Sequence, residues 1–87
     1  MMKQAEAPEI TMKELVDYIA RALVDFPDKV EVIAMESENS VIIELKVAPE
    51  DVGKVIGKGG QTAKAMRKIL SAAATKLHKK SLLQIIE

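Results

Sequence analysis

Apolar residues recur along this chain with more than one rhythm, and each change of rhythm marks an element boundary. Leu15, Ile19, Ala22, Leu23 and Phe26 follow one another at three- and four-residue spacing until Pro27, the repeat of one helix face. Thr11 with Glu14 three residues later reads as a capping box at its start, so a first helix is predicted over about 12–25. Residues 30–35 and 40–47 are rich in Val and Ile, and the polar Ser37-Glu38-Asn39-Ser40 between them reads as a hairpin connection. Alternation turns Val41, Ile43, Leu45 and Val47 toward the core.

Pro49 suits the first position of a helix, and Glu50 and Asp51 oppose its dipole favourably, so residues 49–56 are predicted to form a short helix ending at Gly57. From Gly60 to about Lys79 the apolar positions Ala63, Met66, Ile69 or Leu70, Ala73 and Leu77 repeat at helical spacing, with lysines and arginine on the other faces. Residues 82–86, Leu-Leu-Gln-Ile-Ile, finish the chain as a third strand. The predicted order is helix, strand, strand, helix, loop, helix, strand, in one domain over residues 11–87. Residues 1–10 read as a disordered polar tail.

The loop between the second and third helices carries the candidate chemistry. Gly57-Lys58-Gly59-Gly60 places three glycines in four residues. Glycine admits positive φ and lets another backbone approach without a Cβ in the way, at an entropic cost that a plain turn does not require. A helix starts immediately afterwards, so Gly60, Gln61 and Thr62 are expected to present unpaired N–H groups at its positive end, a site for an anion. Lys58 in the loop, Lys54 before it, and Lys64, Arg67 and Lys68 after it form a basic collar suited to a polyanion.

The overall charge conceals this collar. Formal net charge is zero, yet residues 1–50 carry 5 basic and 11 acidic side chains while residues 51–87 carry 8 basic and 2 acidic. Neutrality is a cancellation between halves, and the second half points to a polyanionic partner. Lys76, Lys79 and Lys80 fall near the predicted end of the long helix, where cations oppose the dipole, and His78, the single histidine, reads as a surface side chain.

Other chemistries find little support. With no cysteine there is neither a disulfide framework nor a thiolate metal site, which suits a cytoplasmic protein. No apolar stretch is long enough to span a membrane, and the N-terminus lacks the pattern of a secretory signal. A nucleotide-binding P-loop needs four residues between its first glycine and Gly-Lys-Ser/Thr; Gly53 to Gly57 leaves three, and Lys58 precedes Gly59. The dinucleotide fingerprint requires glycine where Thr62 stands. No nucleophile–base pair or metal-ligand spacing occurs elsewhere, so neither enzyme activity nor a cofactor is expected. Tyr18 and Phe26 are the only aromatic residues; both are assigned to the core, which leaves no stacking platform for bases.

The element order, with Val55-Ile56-Gly57-Lys58-Gly59-Gly60 set between two helices, resembles the KH domain of type II over about residues 12–86. A chain this short resembles in particular the small single-domain bacterial KH proteins of the KhpA/YlqC-like family. The resemblance implies an α+β fold of order α-β-β-α-α-β, with a three-stranded mixed sheet packed on three helices. It also implies binding of single-stranded RNA, with Gly57, Lys58, Gly59 and Gly60 clamping the backbone of about four nucleotides. The bases would lie over an apolar groove walled by Val52, Val55 and Ile56. KH domains usually carry a larger aliphatic residue three positions beyond the last glycine, where this chain has Ala63; closer helix packing, or Met66, would fill that space.

Binding of this kind rests on phosphate, main-chain and aliphatic contacts, giving modest affinity and weak sequence preference. Nothing in the loop reads the 2′-hydroxyl, so single-stranded DNA fits the same chemistry. The family resemblance further implies a homodimer, a larger Jag-like KH protein as partner, and a role as RNA chaperone or regulator linked to cell-envelope growth and cell shape. A second reading comes from strand alternation, which puts Ile33, Met35, Ile42, Leu82 and Ile86 on the sheet face away from the helices. That face would serve a KH-fold protein-interaction or dimerisation module in which RNA binding is weak or secondary.

Overall fold

A computed structural model describes residues 11–86, and the tail predicted over residues 1–10 lies outside them. Helix α1 spans Met12–Leu23 and starts as the sequence indicates: the Thr11 hydroxyl accepts the Glu14 N–H at 3.0 Å while the Glu14 carboxylate accepts the Thr11 N–H at 3.1 Å. That second bond holds the Glu14 carboxyl below the usual carboxylate range. A 3₁₀ turn at Pro27–Lys29 leads into strand β1, Glu31–Glu36, and then β2, Ser40–Lys46. A second 3₁₀ turn, Pro49–Asp51, precedes the short helix α2, Val52–Ile56. A third, Lys58–Gly60, joins it to α3, Gln61–Lys76, and the chain closes with β3, Lys80–Ile86.

The sheet order is β1-β2-β3, with β1 antiparallel and β3 parallel to the central β2. Each strand turns alternate residues to the helices. On β2, Val41, Ile43 and Leu45 are buried, with Val47 just beyond the strand, and opposite them stand Val32 and Leu83. The core closes between this face and Val16 and Ala20 of α1, Val55 of α2, and Met66 and Leu70 of α3. Full burial of a side chain such as Leu70 contributes about 1.5–3 kcal/mol. Ala63 and Met66, three residues apart on α3, are both buried, and Met66 belongs to the core.

Helix faces depart from the expected stripes. The residues of and just after α1 that face the core are Val16, Ala20 and Val24; Leu15 and Ile19 are half-buried, and Ala22, Leu23 and Phe26 are exposed. Both stripes have helical spacing, and the one built on the smaller residues approaches the sheet. The core assignment of the aromatics is thereby overturned: Tyr18 is 74% and Phe26 42% exposed. On α3, Leu70 rather than Ile69 is buried, Ala74 takes the place expected of Ala73, and Leu77 is exposed. Helix α3 ends at Lys76 in a turn where the His78 N–H donates to the Thr75 carbonyl at 3.0 Å and the Lys79 N–H to the Ala74 carbonyl at 2.9 Å, so Lys79 caps it through its backbone rather than its charge. Lys79 pairs with Glu36 beside the β1–β2 turn, and Lys80 opens β3 with its N–H donated to the Asn39 carbonyl. His78 is exposed, at φ +58°.

Candidate nucleic-acid interface

Helix α2 has only five residues, too few to be stable on hydrogen bonds of its own. Val55 fixes it by entering the core, and Gly57 ends it with an N–H bond to the Gly53 carbonyl at 2.9 Å. Gly57 sits at φ +79°, ψ +167°, a region that only glycine occupies readily. A Cβ there would stand 2.2 Å from Thr62 Oγ1 and 2.9 Å from the Thr62 backbone nitrogen. The first glycine is therefore required twice, by backbone conformation and by its closeness to the first turn of α3.

Gly59 (φ +63°, ψ +19°) and Gly60 (φ +76°, ψ +11°) are left-handed as well, but a Cβ on either would meet no atom within 4 Å. Lys58 and Gly59 are exposed and Gly60 is half-buried. The loop is thus a protruding turn of three positive-φ glycines with a lysine at its tip. Its amides differ from the sequence expectation. The Gly60 N–H donates to the Gly57 carbonyl at 3.0 Å and the Gln61 N–H to the Lys58 carbonyl, because the loop winds as a 3₁₀ turn and uses these donors internally. They do not stand free for an anion.

The basic collar divides by partner. Lys58, Lys64 and Lys68 are exposed and form none of the ion pairs found among the described residues. Arg67 leans on the sheet: its Nη2 donates to the Leu83 carbonyl of β3 at 3.2 Å, which leaves most of the five guanidinium N–H donors for other acceptors. Lys54 is already engaged, 3.1 Å from the Asp25 carboxylate and 3.8 Å from that of Asp51. The hydrogen bond and charge of Asp25 raise the Lys54 pKa. Of the expected groove wall, Ile56 is 38% exposed and Val52 half-buried, whereas Val55 is fully buried. Val55 cannot touch a base, and its place is to hold α2 from behind.

The family described as KhpA/KhpB, KH domain, matches residues 13–85. The chain belongs to that family. Its fold is the type II KH arrangement, α+β, with the mixed three-stranded sheet against three helices. It is 55% identical over 75 residues to RNA-binding protein KhpA of Clostridium acetobutylicum, covering 86% of this chain and 100% of that one. The RNA-binding proteins KhpA of Caldanaerobacter subterraneus and Aquifex aeolicus are 57% and 47% identical, over 86% and 87% of this chain and 100% and 96% of theirs. Among solved structures it resembles Era, crystallised in complex with MgGDPNP and nucleotides 1506–1542 of 16S ribosomal RNA. The TM-score is 0.57 and the identity 21%, over 98% of this chain and 35% of that one. At that identity the likeness is one of fold.

Within this KH fold the residue most misjudged from sequence is Asp51. It reads as an acid opposing a helix dipole, and it is fully buried. Its carboxylate accepts the N–H groups of Asp25 at 3.1 Å and Phe26 at 3.0 Å. No periodic signal marks it, since its partners lie 25 and 26 residues earlier in the chain. Among the described residues there is no group of three or more His, Cys, Asp or Glu placed to hold a metal, and no helix long and apolar enough to cross a membrane.

Proposed function

We propose that this protein binds single-stranded RNA without catalysis, through the GKGG loop, as an RNA chaperone or post-transcriptional regulator. The observation that carries the reading is the loop itself: three positive-φ glycines expose a turn with Lys58 at its tip, and two of them have open space where a side chain would stand. A nucleic-acid backbone can approach that surface closely, while the exposed Lys58, Lys64 and Lys68 supply charge for its phosphates. Val52 and Ile56 offer aliphatic surface beside the loop, and Arg67 marks the side of α3 that faces the β3 edge. The name RNA-binding protein carried by the KhpA relatives supports RNA as the ligand. Lys54 contributes to the local potential rather than as a direct ligand, since Asp25 already occupies it.

The protein works in the cytoplasm as a homodimer, alongside a larger Jag-like KH protein, in RNA-linked control of cell-envelope growth and cell shape; this extends the family resemblance. A single small KH unit gains from such pairing because linked sites raise effective concentration. A second reading, of a KH-fold interaction module with secondary RNA binding, draws on the open sheet face. Register sets Met35, Ile42 and Leu82 in one cross-strand row there, and Ile33, Met35 and Leu82 are 54%, 47% and 49% exposed.

Fluorescence-anisotropy titration of short single-stranded RNAs at two salt concentrations tests the first reading. The comparison is with Lys58→Asp/Gly59→Asp, which places two negative charges where phosphate is expected. Position 59 has room for the new side chain, and aspartate tolerates left-handed backbone better than most residues. Salt-sensitive binding that the folded variant loses supports the clamp; equal binding by the folded variant, or none by the native protein at low salt, refutes it.

A further inference from the structure

Asp51 is the one buried charged side chain among the described residues, and the binding loop as described above makes no use of it. Burying a carboxylate is costly unless it is well paired, and well-packed apolar residues often serve stability as well as a buried ion does. Its place in the core therefore calls for an explanation beyond stability. The two oxygens divide their work: Oδ1 accepts from the Asp25 N–H and Oδ2 from the Phe26 N–H, two consecutive amides in the connection between α1 and β1. A two-point tie of this kind sets direction as well as distance. Lys54, one turn further along, repeats the link at the surface by reaching Asp25.

What the tie orients is α2. Asp51 immediately precedes that helix, which extends about 7.5 Å at 1.5 Å per residue before Gly57 begins the loop. Three anchors then define the placement of α2 and the loop: Asp51 at the start, Val55 in the core, and Gly57 against Thr62 at the end. Val55 alone would permit rotation about the helix axis. The Asp51 tie opposes it, and so keeps Gly53 and Ile56 at the surface and Val55 beneath.

We infer that Asp51 is a positioning residue for the GKGG loop, a buried carboxylate that fixes α2 against the α1–β1 connection and touches no nucleic acid itself. The inference rests on the loop being the RNA-binding element. Asp51→Asn tests it, because an amide keeps the shape but offers one acceptor oxygen, leaving one of the two N–H groups facing an NH₂. Two measurements are made on the folded variant. Amide hydrogen exchange of the free protein, which needs no RNA, is expected to show faster exchange at Gly60 and Gln61, with the β2 amides unchanged. RNA titration is expected to show about tenfold weaker binding with an unchanged dependence on log salt, since every phosphate-facing cation is still in place.

Native exchange rates at Gly60 and Gln61 would overturn the inference whatever the RNA result. Accelerated exchange in Asp51→Asn, together with a native protein that binds no RNA, would instead retain Asp51 as the anchor of the loop while refuting the binding function. Native affinity in the folded variant would overturn the link from anchor to binding. Should Asp51→Asn fail to fold, Asp51→Glu keeps both oxygens and the charge but displaces them by one methylene; it is expected to reproduce the exchange and affinity changes, and native values in it would overturn the inference.

Discussion

The GKGG loop and the open sheet face are both exposed, and they are exposed for opposite reasons. The loop is irregular backbone: Gly57, Gly59 and Gly60 all have positive φ, its tip residue is charged, and it protrudes. The sheet face is regular: register sets Met35, Ile42 and Leu82 in one apolar row, while Ile33 stands opposite Glu44 and Ile86 opposite Lys46. A surface of the first kind can accept a polyanion at close range through backbone proximity and charge, contributions that vary strongly with salt. The apolar row of the second gains by covering area, at roughly 25 cal/mol per Å² of apolar surface buried, a contribution nearly indifferent to salt. Substitutions should therefore separate the two.

The largest effect is expected for Gly57→Ala. The new Cβ meets Thr62 Oγ1 at 2.2 Å, and alanine must adopt φ +79° and ψ +167°. Backbone strain of about 1–3 kcal/mol plus the displacement of Thr62 should lower the midpoint of thermal unfolding by several degrees and abolish RNA binding together. Gly60→Ala carries the left-handed penalty of roughly 1–2 kcal/mol without any clash, so circular dichroism should find it more stable than Gly57→Ala.

Next comes Lys58→Ala, which should leave thermal stability within about 0.5 kcal/mol of native and weaken RNA binding. Its distinguishing sign is a shallower salt dependence: on a single strand, the slope of log affinity against log salt falls by about 0.7 for each phosphate that the protein no longer neutralises. Met35→Asp or Leu82→Asp should show the reverse pattern, with affinity and salt slope unchanged for an RNA too short to bridge two copies. If copies of the chain associate through this face, sedimentation will show these two variants as monomers under conditions where the native protein is a dimer. A sheet-face variant that lost RNA binding while staying folded would erase the contrast between the two regions.

The smallest effect lies far from both. The Thr11 hydrogen bonds lower the Glu14 pKa, so the capping box stabilises the fold fully above the ordinary glutamate pKa of about 4.3. That contribution is lost as pH falls through the depressed folded-state value. Urea unfolding should show native protein and Glu14→Gln drawing together as pH falls below about 4, and separating again at neutral pH.

Much of this was legible in the chain, and the failures share a cause. The capping box at Thr11 and Glu14, the alternation in Val41, Ile43 and Leu45, and the glycines of the loop are local signals, and the structure bears each of them out. The face of α1 was not legible, because Leu15, Ile19 and Leu23 repeat as regularly as Val16, Ala20 and Val24. The choice falls to the sheet, which the smaller stripe approaches. Asp51 and Lys54 were misread for a related reason. Each looks like a charge on a short helix, and each is committed to the distant residues Asp25 and Phe26 or to Asp25 alone. The donors of Gly60 and Gln61 were assigned to a ligand because a helix start normally leaves such groups free; the 3₁₀ winding of the loop consumes them.

Amide chemical-shift mapping of the isotopically labelled protein during titration with a short single-stranded RNA tests the central claim most directly. The account predicts progressive shifts at Lys58, Gly59, Gly60 and the first turn of α3, weakening as salt is raised, with Ile42, Glu44, Leu82 and Gln84 on the open sheet face unmoved. Shifts concentrated on that face, with the loop silent, would contradict it.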